Sequence, residues 1–465
     1  MRNAHADART RRRTCGRPGA AAAAGDRLRG AGQRRPGAAR SAAGRGPGAV
    51  AERIGEVLPE VLPRSGSGDH EALSTLVHAM AVGSADPAEP LCAAHLHCPP
   101  LAVAAAADLA ASALNPSLDS WDQAPAASAL EARVTAALAA LVYPDLPAPD
   151  ALITTGGTES NQLALLLARE RAAGGPRVQV VCGANAHHSV LRAAWLLGLP
   201  QPIVLDTPGG VLDPGRLAGT LDGLPGRPLV VATAGTTDSG AIDPLLAIAQ
   251  VTGARGAELH VDAAYGGPLL FSSREAAKLD GVQSAVSVGF DLHKLGWQPV
   301  AAGVLAVPDH TALRPLEHTA DYLNADDDTD AGLPDLLGRS LRTSRRPDVL
   351  KIAVTLRALG RDGIAALVDA VCDLAVDLAV RVDAHPALEL HGPPTISTVL
   401  FRPAGATDEQ TAELRRRLMH EGRAVLGRAG AGGRLWLKAT VLNPHLRPDD
   451  LDMLLKLTTE GTTSR

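Results

Sequence analysis

Aromatic residues are scarce in this chain: three Phe, three Tyr and four Trp make up 2% of its 465 residues. The hydrophobic core must therefore be built mainly from Ala, Leu and Val, and a platform of rings for stacking nucleic-acid bases is not expected. The formal net charge of −5 also gives no sign of a surface for polyanions. We predict no nucleic-acid partner.

Paired cysteines and long apolar runs are missing as well. The five cysteines are widely spread and form no C-x-x-C pair, which argues against a disulfide framework or a zinc ribbon and fits the cytoplasm. His95 and His97 have no third ligand at a suitable spacing, so no metal site is predicted. The most apolar run, residues 101–114, is short and contains Asp108, so no membrane association is predicted.

Residues 1–50 differ in composition from the rest of the chain. They contain twelve Arg, no Lys, two Asp and no Glu, together with many Ala and Gly. Such a segment cannot bury enough apolar surface to offset the entropy of ordering it. We predict a disordered basic tail, followed by a helical segment over residues 51–125.

Strand-like and helix-like patterns alternate over residues 126–340. Apolar runs at 151–154, 178–182, 203–205, 229–234, 258–261, 285–288 and 303–307 alternate with helical patterns such as 160–172. This spacing is typical of β-α-β units and a mostly parallel sheet. Residues 321–339 read as a mobile polar loop, and 341–465 read as a smaller α+β domain with a long helix over 348–383, interrupted around 360–363.

Two groups of residues suggest a bound phosphate and a reactive amine. The turn Thr154-Thr155-Gly156-Gly157-Thr158-Glu159-Ser160 joins a strand to a helix, and such turns present backbone amides to a phosphate. Asp262 ends one strand and Lys294 follows another, so both should lie in the crevice at the carboxyl ends of the strands. A carboxylate there can keep a pyridinium nitrogen protonated, and a partly desolvated lysine can form a Schiff base.

These residues belong to longer stretches that resemble the group II pyridoxal-phosphate (PLP)-dependent amino-acid decarboxylases. The stretches, in that family's order, are TTGGTESNQLALLLARE, ANAHHSVLRAAWLLG, ATAGTTDSGAIDP, HVDAAYGG and DLHKLGWQP. Others are similar to the bacterial branch that acts on diamino acids: AAHLHCPP, NPSLDSWDQAPAASALE, YLNADDD and RSLRTSRRPDVLK. The resemblance implies a fold-type I PLP enzyme, aspartate-aminotransferase-like, with a large, mostly parallel sheet domain over 126–340 and a smaller C-terminal α+β domain.

The resemblance also implies a role for each matching residue. Lys294 matches the lysine that holds PLP covalently, Asp262 the partner of the pyridine nitrogen, and His187 the histidine that stacks on the ring. The neighbour His188 falls where relatives vary. The remaining cofactor positions are Gly157, Thr158, Glu159 and Ser160 in the phosphate turn, Thr233 and Ala264 beside the ring, and His293. The substrate positions are His97, Trp121, Tyr322 and Arg346, with His97 and the Trp121 segment expected across a dimer interface.

One position departs from the family pattern. Relatives that act on aromatic amino acids carry a catalytic tyrosine in the mobile loop, where this chain has Pro334-Asp335-Leu336-Leu337-Gly338. Either Tyr322 or another acid, such as a histidine or water, must then protonate the product carbon.

The predicted activity is removal of the α-carboxylate of an L-amino acid in a homodimer. The favoured substrate is a diamino or basic amino acid such as 2,4-diaminobutyrate or lysine. An aromatic or acidic amino-acid decarboxylase, an aminotransferase-like enzyme and a non-catalytic member of the same fold remain alternatives.

Overall fold

The computed structural model describes residues 46–460 except 173, 174, 176 and 321. Most of the predicted tail lies outside these residues. Its last part, residues 46–50, is the start of helix Gly46–Val57 and not of a tail. Pro47 suits a first helical turn, and Ala49 and Ala51 are good helix formers.

The described chain alternates helices and strands as the sequence indicates. The helices are α1 Gly46–Val57, α2 Asp69–Gly83, α3 Ala102–Leu114, α4 Pro125–Val142, α5 Gly157–Arg171, α6 Ser189–Leu196, α7 Pro214–Asp222, α8 Leu245–Ala254, α9 Leu292–Leu295, α10 Asp326–Asp330, α11 Val349–Asp383, α12 Asp408–His420 and α13 Pro448–Thr459. The strands are β1 Asp150–Thr154, β2 Val180–Gly183, β3 Ile203–Leu205, β4 Leu229–Thr233, β5 Glu258–Asp262, β6 Ser287–Asp291, β7 Gly303–Val307, β8 Leu388–Leu390, β9 Thr398–Pro403, β10 Gly427–Ala431 and β11 Arg434–Thr440.

Strands β1 to β7 form one sheet in the order β1-β7-β6-β5-β4-β2-β3. Adjacent strands in this sheet are parallel, except that β7 is antiparallel to both β1 and β6. Gly303 at the start of β7 pairs with Thr154 on one side and Asp291 on the other. A Cβ atom at Gly303 would lie 2.4 Å from Thr154 Oγ1, so only glycine lets these strand ends approach.

The register brings the ends of four strands to one edge of the sheet. Thr233 of β4 is opposite Asp262 of β5, which in turn is opposite Gly289 of β6. Thr154 and Asp291 end β1 and β6 at the same edge. Side chains that follow these strands therefore meet in one place, as expected for ligand sites of open α/β sheets.

The C-terminal region forms a second, antiparallel sheet in the order β10-β11-β9-β8. Tyr265 links the two sheets, because its buried hydroxyl lies 2.8 Å from Ser397 Oγ and 3.0 Å from Thr398 Oγ1 at the start of β9. A large, mostly parallel sheet with a smaller antiparallel one confirms the predicted fold class. The boundaries at residues 125 and 340 stay predictions.

Local structure differs from the expectation in three places. The short apolar run at 424–426 indicates a strand, but the strand in this part of the chain is β10, Gly427–Ala431, and Val425 makes only an isolated bridge to Cys92. The acidic run 326–328, predicted as loop, opens the short helix α10, where carboxylates suit a helix N-terminus. Helices α7 and α8 were not predicted individually.

Two other predictions are confirmed. The interruption near 360–363 exists, because Gly360 leaves the helical region with φ 66°. The buried core consists largely of Ala, Leu and Val, as the scarcity of aromatics required.

Helix α4 is the one helix in the described part of the chain that is long and apolar enough to cross a membrane. Its Glu131 is buried and makes two 2.9 Å hydrogen bonds with the buried Arg345 guanidinium. An ion pair of this kind tethers α4 to the segment before α11 and is a feature of a protein core.

Candidate active site

A cavity of about 360 Å³ opens at the carboxyl ends of the central strands. Eight of the residues predicted to bind the cofactor line it: Gly157, Thr158, His187, Thr233, Asp262, Ala264, His293 and Lys294. They come from five separate segments of the sequence, which the sheet brings together.

Lys294 lies in the short helix α9, directly after β6. Its Nζ atom is 2.8 Å from Oδ2 of Asp291, and its side chain is 19% exposed while that of Asp291 is 2% exposed. The carboxylate therefore holds the amine in place at the cavity wall. The other oxygen of Asp291, Oδ1, is buried and has no hydrogen-bond partner among the described residues.

Two hydrogen bonds from protein groups hold the carboxylate of Asp262 at the end of β5. Its Oδ2 accepts a 2.8 Å hydrogen bond from the side-chain amide of Asn161, and its Oδ1 accepts one of 3.1 Å from the backbone N–H of Ala264. Both donors leave the cavity-facing lone pairs of the carboxylate free for a ligand.

His187 follows β2 and also faces the cavity. Its Nδ1 lies 2.8 Å from Ser189 Oγ, and the backbone N–H of Ser189 points to the same nitrogen at 3.3 Å. Burial lowers the pKa of His187, although the nearby Asp262 opposes that shift. His188 is exposed and packs on His187 with ring centroids 4.1 Å apart.

The glycine turn places the start of α5 against the lysine segment. A Cβ at Gly157 would lie 2.8 Å from Ala264 Cβ, and one at Gly156 would lie 3.0 Å from the His293 ring. The first helical hydrogen bond runs from Ser160 N to Gly156 O at 3.0 Å. The amides of Gly157, Thr158 and Glu159 therefore precede the helical ladder and can bind an anion.

The side chains of Glu159 and Ser160 do not line the cavity. Glu159 Oε2 accepts a 2.6 Å hydrogen bond from Thr155 N, and Ser160 Oγ lies 2.9 Å from Thr154 Oγ1. They shape the turn, so any contact with a phosphate would come from their backbone.

Comparison with known proteins identifies the family to which this site belongs. Residues 74–404 match the pyridoxal-dependent decarboxylase conserved domain. The chain belongs to this family. It is a carboxy-lyase that uses PLP and acts on an amino acid.

Three relatives show how far the similarity extends. An L-2,4-diaminobutyrate decarboxylase of Rhizobium meliloti is 42% identical over 421 residues, covering 85% of this chain and 82% of the relative. One from Acinetobacter baumannii is 32% identical over 428 residues, covering 84% of each chain. The crystal structure of the glutamate decarboxylase domain of diaminobutyrate-pyruvate transaminase and L-2,4-diaminobutyrate decarboxylase from Vibrio parahaemolyticus superposes with a TM-score of 0.77, at 31% identity and 89% coverage of both chains.

The polar atoms that line the cavity of the decarboxylase fit PLP. Thr233 Oγ1 and Asp291 Oδ1 are buried polar atoms without partners among the described residues, as expected of atoms that await a polar ligand. His293 turns Nδ1 toward Ala302 N, which donates to it at 3.3 Å, and its Nε2 lies 3.6 Å from Asp291. Burial lowers the pKa of His293.

The predicted substrate residues do not converge on the cavity of this single chain. His97, Trp121, Tyr322 and Arg346 are absent from its lining, and Tyr322 is 83% exposed. Arg346 instead pairs with the side chain and backbone carbonyl of Asp108. Their predicted role in substrate binding stays a prediction.

Several residues at the decarboxylase site were not among the predicted site residues, and three of them, Asp291, Asn161 and Lys438, make polar contacts at the site. Asp291 and Asn161 lie inside the motifs DLHKLGWQP and TTGGTESNQLALLLARE, so those motifs carried the signal. Lys438 lines the same cavity but belongs to β11 of the small sheet. Its Nζ donates a 2.8 Å hydrogen bond to Thr237 O, and burial lowers its pKa. No local pattern around Lys438 marks it.

Within the described residues, no group of three or more His, Cys, Asp or Glu side chains could hold a metal ion.

Proposed function

We propose that this decarboxylase converts L-2,4-diaminobutyrate to propane-1,3-diamine and CO2. The observation that carries the proposal is that Lys294, Asp262 and His187 line one cavity in a chain that is 42% identical to an L-2,4-diaminobutyrate decarboxylase. Loss of CO2 from the α-carbon of this substrate leaves an amine at each end of a three-carbon chain.

We propose for the cavity residues the roles that the family resemblance implies, and their positions around one cavity support these roles. Bound PLP supplies an electron sink for the carbon that loses its carboxylate. Lys294 holds the cofactor, and Asp262 holds the pyridine nitrogen in its protonated state. His187 covers the ring, while the amides of Gly157, Thr158 and Glu159 bind the phosphate. Thr233, Ala264 and His293 complete the enclosure.

Two charged residues prepare the cavity for an amino acid. Asp291 holds the amine of Lys294 at 2.8 Å, so the amine stays positioned when it is free. Lys438 offers a second cation at the wall, where it can neutralise the substrate's carboxylate. A partly buried site strengthens both interactions because fewer waters screen them.

We also propose that the active enzyme is a homodimer whose partner subunit completes the substrate side. Helix α1 buries no residue and α2 buries only Ala79, while Leu73, Val77 and Met80 of α2 are 68%, 56% and 62% exposed. Apolar helix faces of this kind are typical of subunit contacts. Light scattering after gel filtration should give twice the mass of one chain.

Mixing two inactive variants tests whether the site is shared. Lys294→Ala protein mixed with Trp121→Ala protein should regain activity if Trp121 serves the site of the partner subunit. If verified heterodimers stay inactive, Trp121 and Lys294 of the same subunit serve the same active site.

A product panel tests the reaction and the substrate. Purified enzyme with PLP is offered 2,4-diaminobutyrate, lysine, glutamate, cysteine sulfinate and tryptophan, and CO2, amines and keto acids are quantified. We expect CO2 and propane-1,3-diamine from 2,4-diaminobutyrate at the highest kcat/KM. A preference for an acidic or aromatic substrate, or a keto acid as the main product, would overturn the proposal.

The cytoplasm is the proposed location. Cys92, Cys98, Cys182 and Cys372 are all free thiols, as a reducing compartment maintains them. Nucleic acid and membrane are not proposed partners.

A further inference from the structure

The side-chain amide of Asn161 lies beneath the cavity floor and is fully buried. It makes three hydrogen bonds: Nδ2 donates to Asp262 Oδ2 and to Ser189 Oγ, each at 2.8 Å, and Oδ1 lies 2.9 Å from His260 Nε2. Every polar atom of this side chain is thus engaged, although Asn161 itself does not line the cavity.

The chemistry of Asp262 determines how this amide is oriented. An ionised carboxylate only accepts hydrogen bonds, so the NH2 group of Asn161 must face it. The amide oxygen then faces His260, whose Nε2 must carry a hydrogen. The other ring nitrogen, Nδ1, lies 2.9 Å from Ser287 Oγ and 3.1 Å from Ser287 O, and in the neutral ring with Nε2–H it accepts from the hydroxyl. Full burial lowers the pKa of His260 to about 4, so this ring stays neutral.

The second NH2 hydrogen of Asn161 determines the state of His187. Ser189 Oγ accepts from Asn161, and the Ser189 backbone N–H donates to His187 Nδ1 at 3.3 Å, so that nitrogen is an acceptor and the hydroxyl hydrogen can turn to it as well. Nδ1 therefore accepts, and the ring hydrogen of neutral His187 is on Nε2. One amide thus orients both the carboxylate and the imidazole at the cavity.

We propose that Asn161 is a positioning residue that orients the carboxylate of Asp262 at the cavity and, through Ser189, keeps His187 in the Nε2–H form. This inference rests on the proposed function, in which Asp262 would hold the pyridine nitrogen of PLP. It adds a coupling between the Asp262 carboxylate and the His187 imidazole. Loss of the Asn161 amide should disturb both side chains, whereas loss of the Ser189 hydroxyl should disturb only His187.

Three variants separate these effects. Asn161→Asp keeps the shape of the side chain but replaces the NH2 donor with an acceptor. Ser189→Ala removes the hydroxyl that joins Asn161 to His187 and leaves the hydrogen bond from Asn161 to Asp262 in place. Thr252→Val is the matched control, because it removes another buried hydroxyl, bonded to Ala249 O at 3.0 Å, in helix α8 away from the cavity.

The measurements are nitrogen chemical shifts and cofactor affinity. Protein labelled with 15N-histidine is studied free of cofactor, with the His187 signals assigned by their absence in His187→Asn. Affinity for PLP is titrated in parallel, and the visible spectrum of the loaded protein is followed against pH.

We expect wild type to show a protonated Nε2 and an unprotonated Nδ1 at His187. Ser189→Ala should mix the two tautomers and leave PLP affinity within about 2-fold of wild type. Asn161→Asp should mix the tautomers, shift the spectral pH profile and weaken PLP binding roughly 10- to 100-fold, the range for losing a hydrogen bond to a charged group. Thr252→Val should change none of these.

Other outcomes overturn the inference. If wild-type His187 carries its hydrogen on Nδ1, the proposed hydrogen-bond path from Asn161 through the Ser189 hydroxyl to His187 is absent. If Asn161→Asp lowers stability but leaves the shifts, the spectral profile and PLP affinity as in wild type, Asn161 is merely structural. Should Asn161→Asp fail to fold, Ser189→Ala decides the link to His187 by itself, and unchanged tautomers there contradict it. Failure of the proposed function looks different, because wild type itself would then fail to load PLP or to release CO2.

Discussion

The two sides of the active site are built differently. On the cofactor side, Lys294, Asp262 and His187 each have a hydrogen-bonded or charged partner within 2.8 Å. The residues predicted to bind the substrate, His97, Trp121 and Tyr322, are exposed and do not line the cavity. One chain therefore holds the predicted cofactor residues in buried contacts but does not bring these predicted substrate residues to the cavity.

Removal of the reactive amine is the largest expected effect on the cofactor side. Lys294→Ala should lower turnover by roughly 10⁴-fold or more, because Asp291 holds no other amine at the cavity wall within the described part of the chain. Rates with 2,4-diaminobutyrate are compared with those of Lys456→Ala, an exposed lysine in α13. Normal turnover in Lys294→Ala would refute the assignment.

Low pH should destabilise the fold through His260, whose buried ring lies 2.9 Å from the Asn161 amide oxygen. Folding keeps His260 neutral with a pKa of about 4, whereas the unfolded chain protonates this residue near its ordinary pKa of about 6.5. The unfolded state therefore binds more protons between these values, and the free energy of unfolding falls as pH drops from about 6.5 to 4. The full contribution of neutral His260 to the free energy of unfolding is about 3 kcal/mol, and about 2 kcal/mol of this free energy is lost between pH 7 and 5.

Urea unfolding of wild type and His260→Gln, both saturated with PLP, measures this contribution. The wild-type curve should lose about 2 kcal/mol more than the variant between pH 7 and 5. Other histidines add the same slope to both proteins, so parallel curves for the two would show that His260 makes no such contribution.

Replacing the unpartnered hydroxyl of Thr233 should have smaller effects, raising the stability of the cofactor-free protein and lowering its affinity for PLP. Thr233 Oγ1 is buried without a hydrogen-bond partner among the described residues, so Thr233→Val should stabilise the cofactor-free protein by about 1 kcal/mol. The same change should weaken PLP binding about 5-fold, because the ligand loses a hydrogen bond. Thermal unfolding and PLP titration check the two effects, with Thr252→Val as control. Equal PLP affinity in Thr233→Val and wild type would remove Thr233 from the cofactor site.

The smallest effect is expected on the substrate side. Tyr322 is 83% exposed, so Tyr322→Phe should leave PLP affinity within about 2-fold of wild type. Turnover of 2,4-diaminobutyrate, measured on the same protein, shows whether this hydroxyl acts on the substrate. A large loss of PLP affinity would contradict the separation of the two sides.

Much of the cofactor side could be predicted because its residues lie at element boundaries. Asp262 ends an apolar strand, Lys294 follows another, and the Gly156-Gly157 turn joins a strand to a helix. Local patterns predict such boundaries, and the alternation of strands and helices predicts that they share one edge of the sheet. The resemblance to decarboxylases then supplied the role of each residue.

The supporting contacts could not be predicted in the same way. Asn161 sits one residue after Ser160, yet Asn161 supports Asp262 and Ser160 packs against β7, where it donates to Val304 O at 3.2 Å. Which neighbour faces which partner depends on how α5 rotates over the sheet, and the sequence pattern does not set that rotation. Lys438 reaches the cavity from β11 of the second sheet, and the local sequence does not predict how the two sheets pack together.

By itself, the sequence determined the order of strands and helices, the Ala, Leu and Val composition of the core, and the lysine and aspartate at strand ends, because these depend on local hydrophobic periodicity and on residue chemistry. Only the tertiary structure decided that antiparallel β7 brings Gly303 between Thr154 and Asp291, that Asn161 joins Asp262 to Ser189, and that Lys438 and Lys294 line the same cavity. Those contacts join residues far apart in the chain, and their energies depend on distances of a few ångströms that only packing of the whole domain sets.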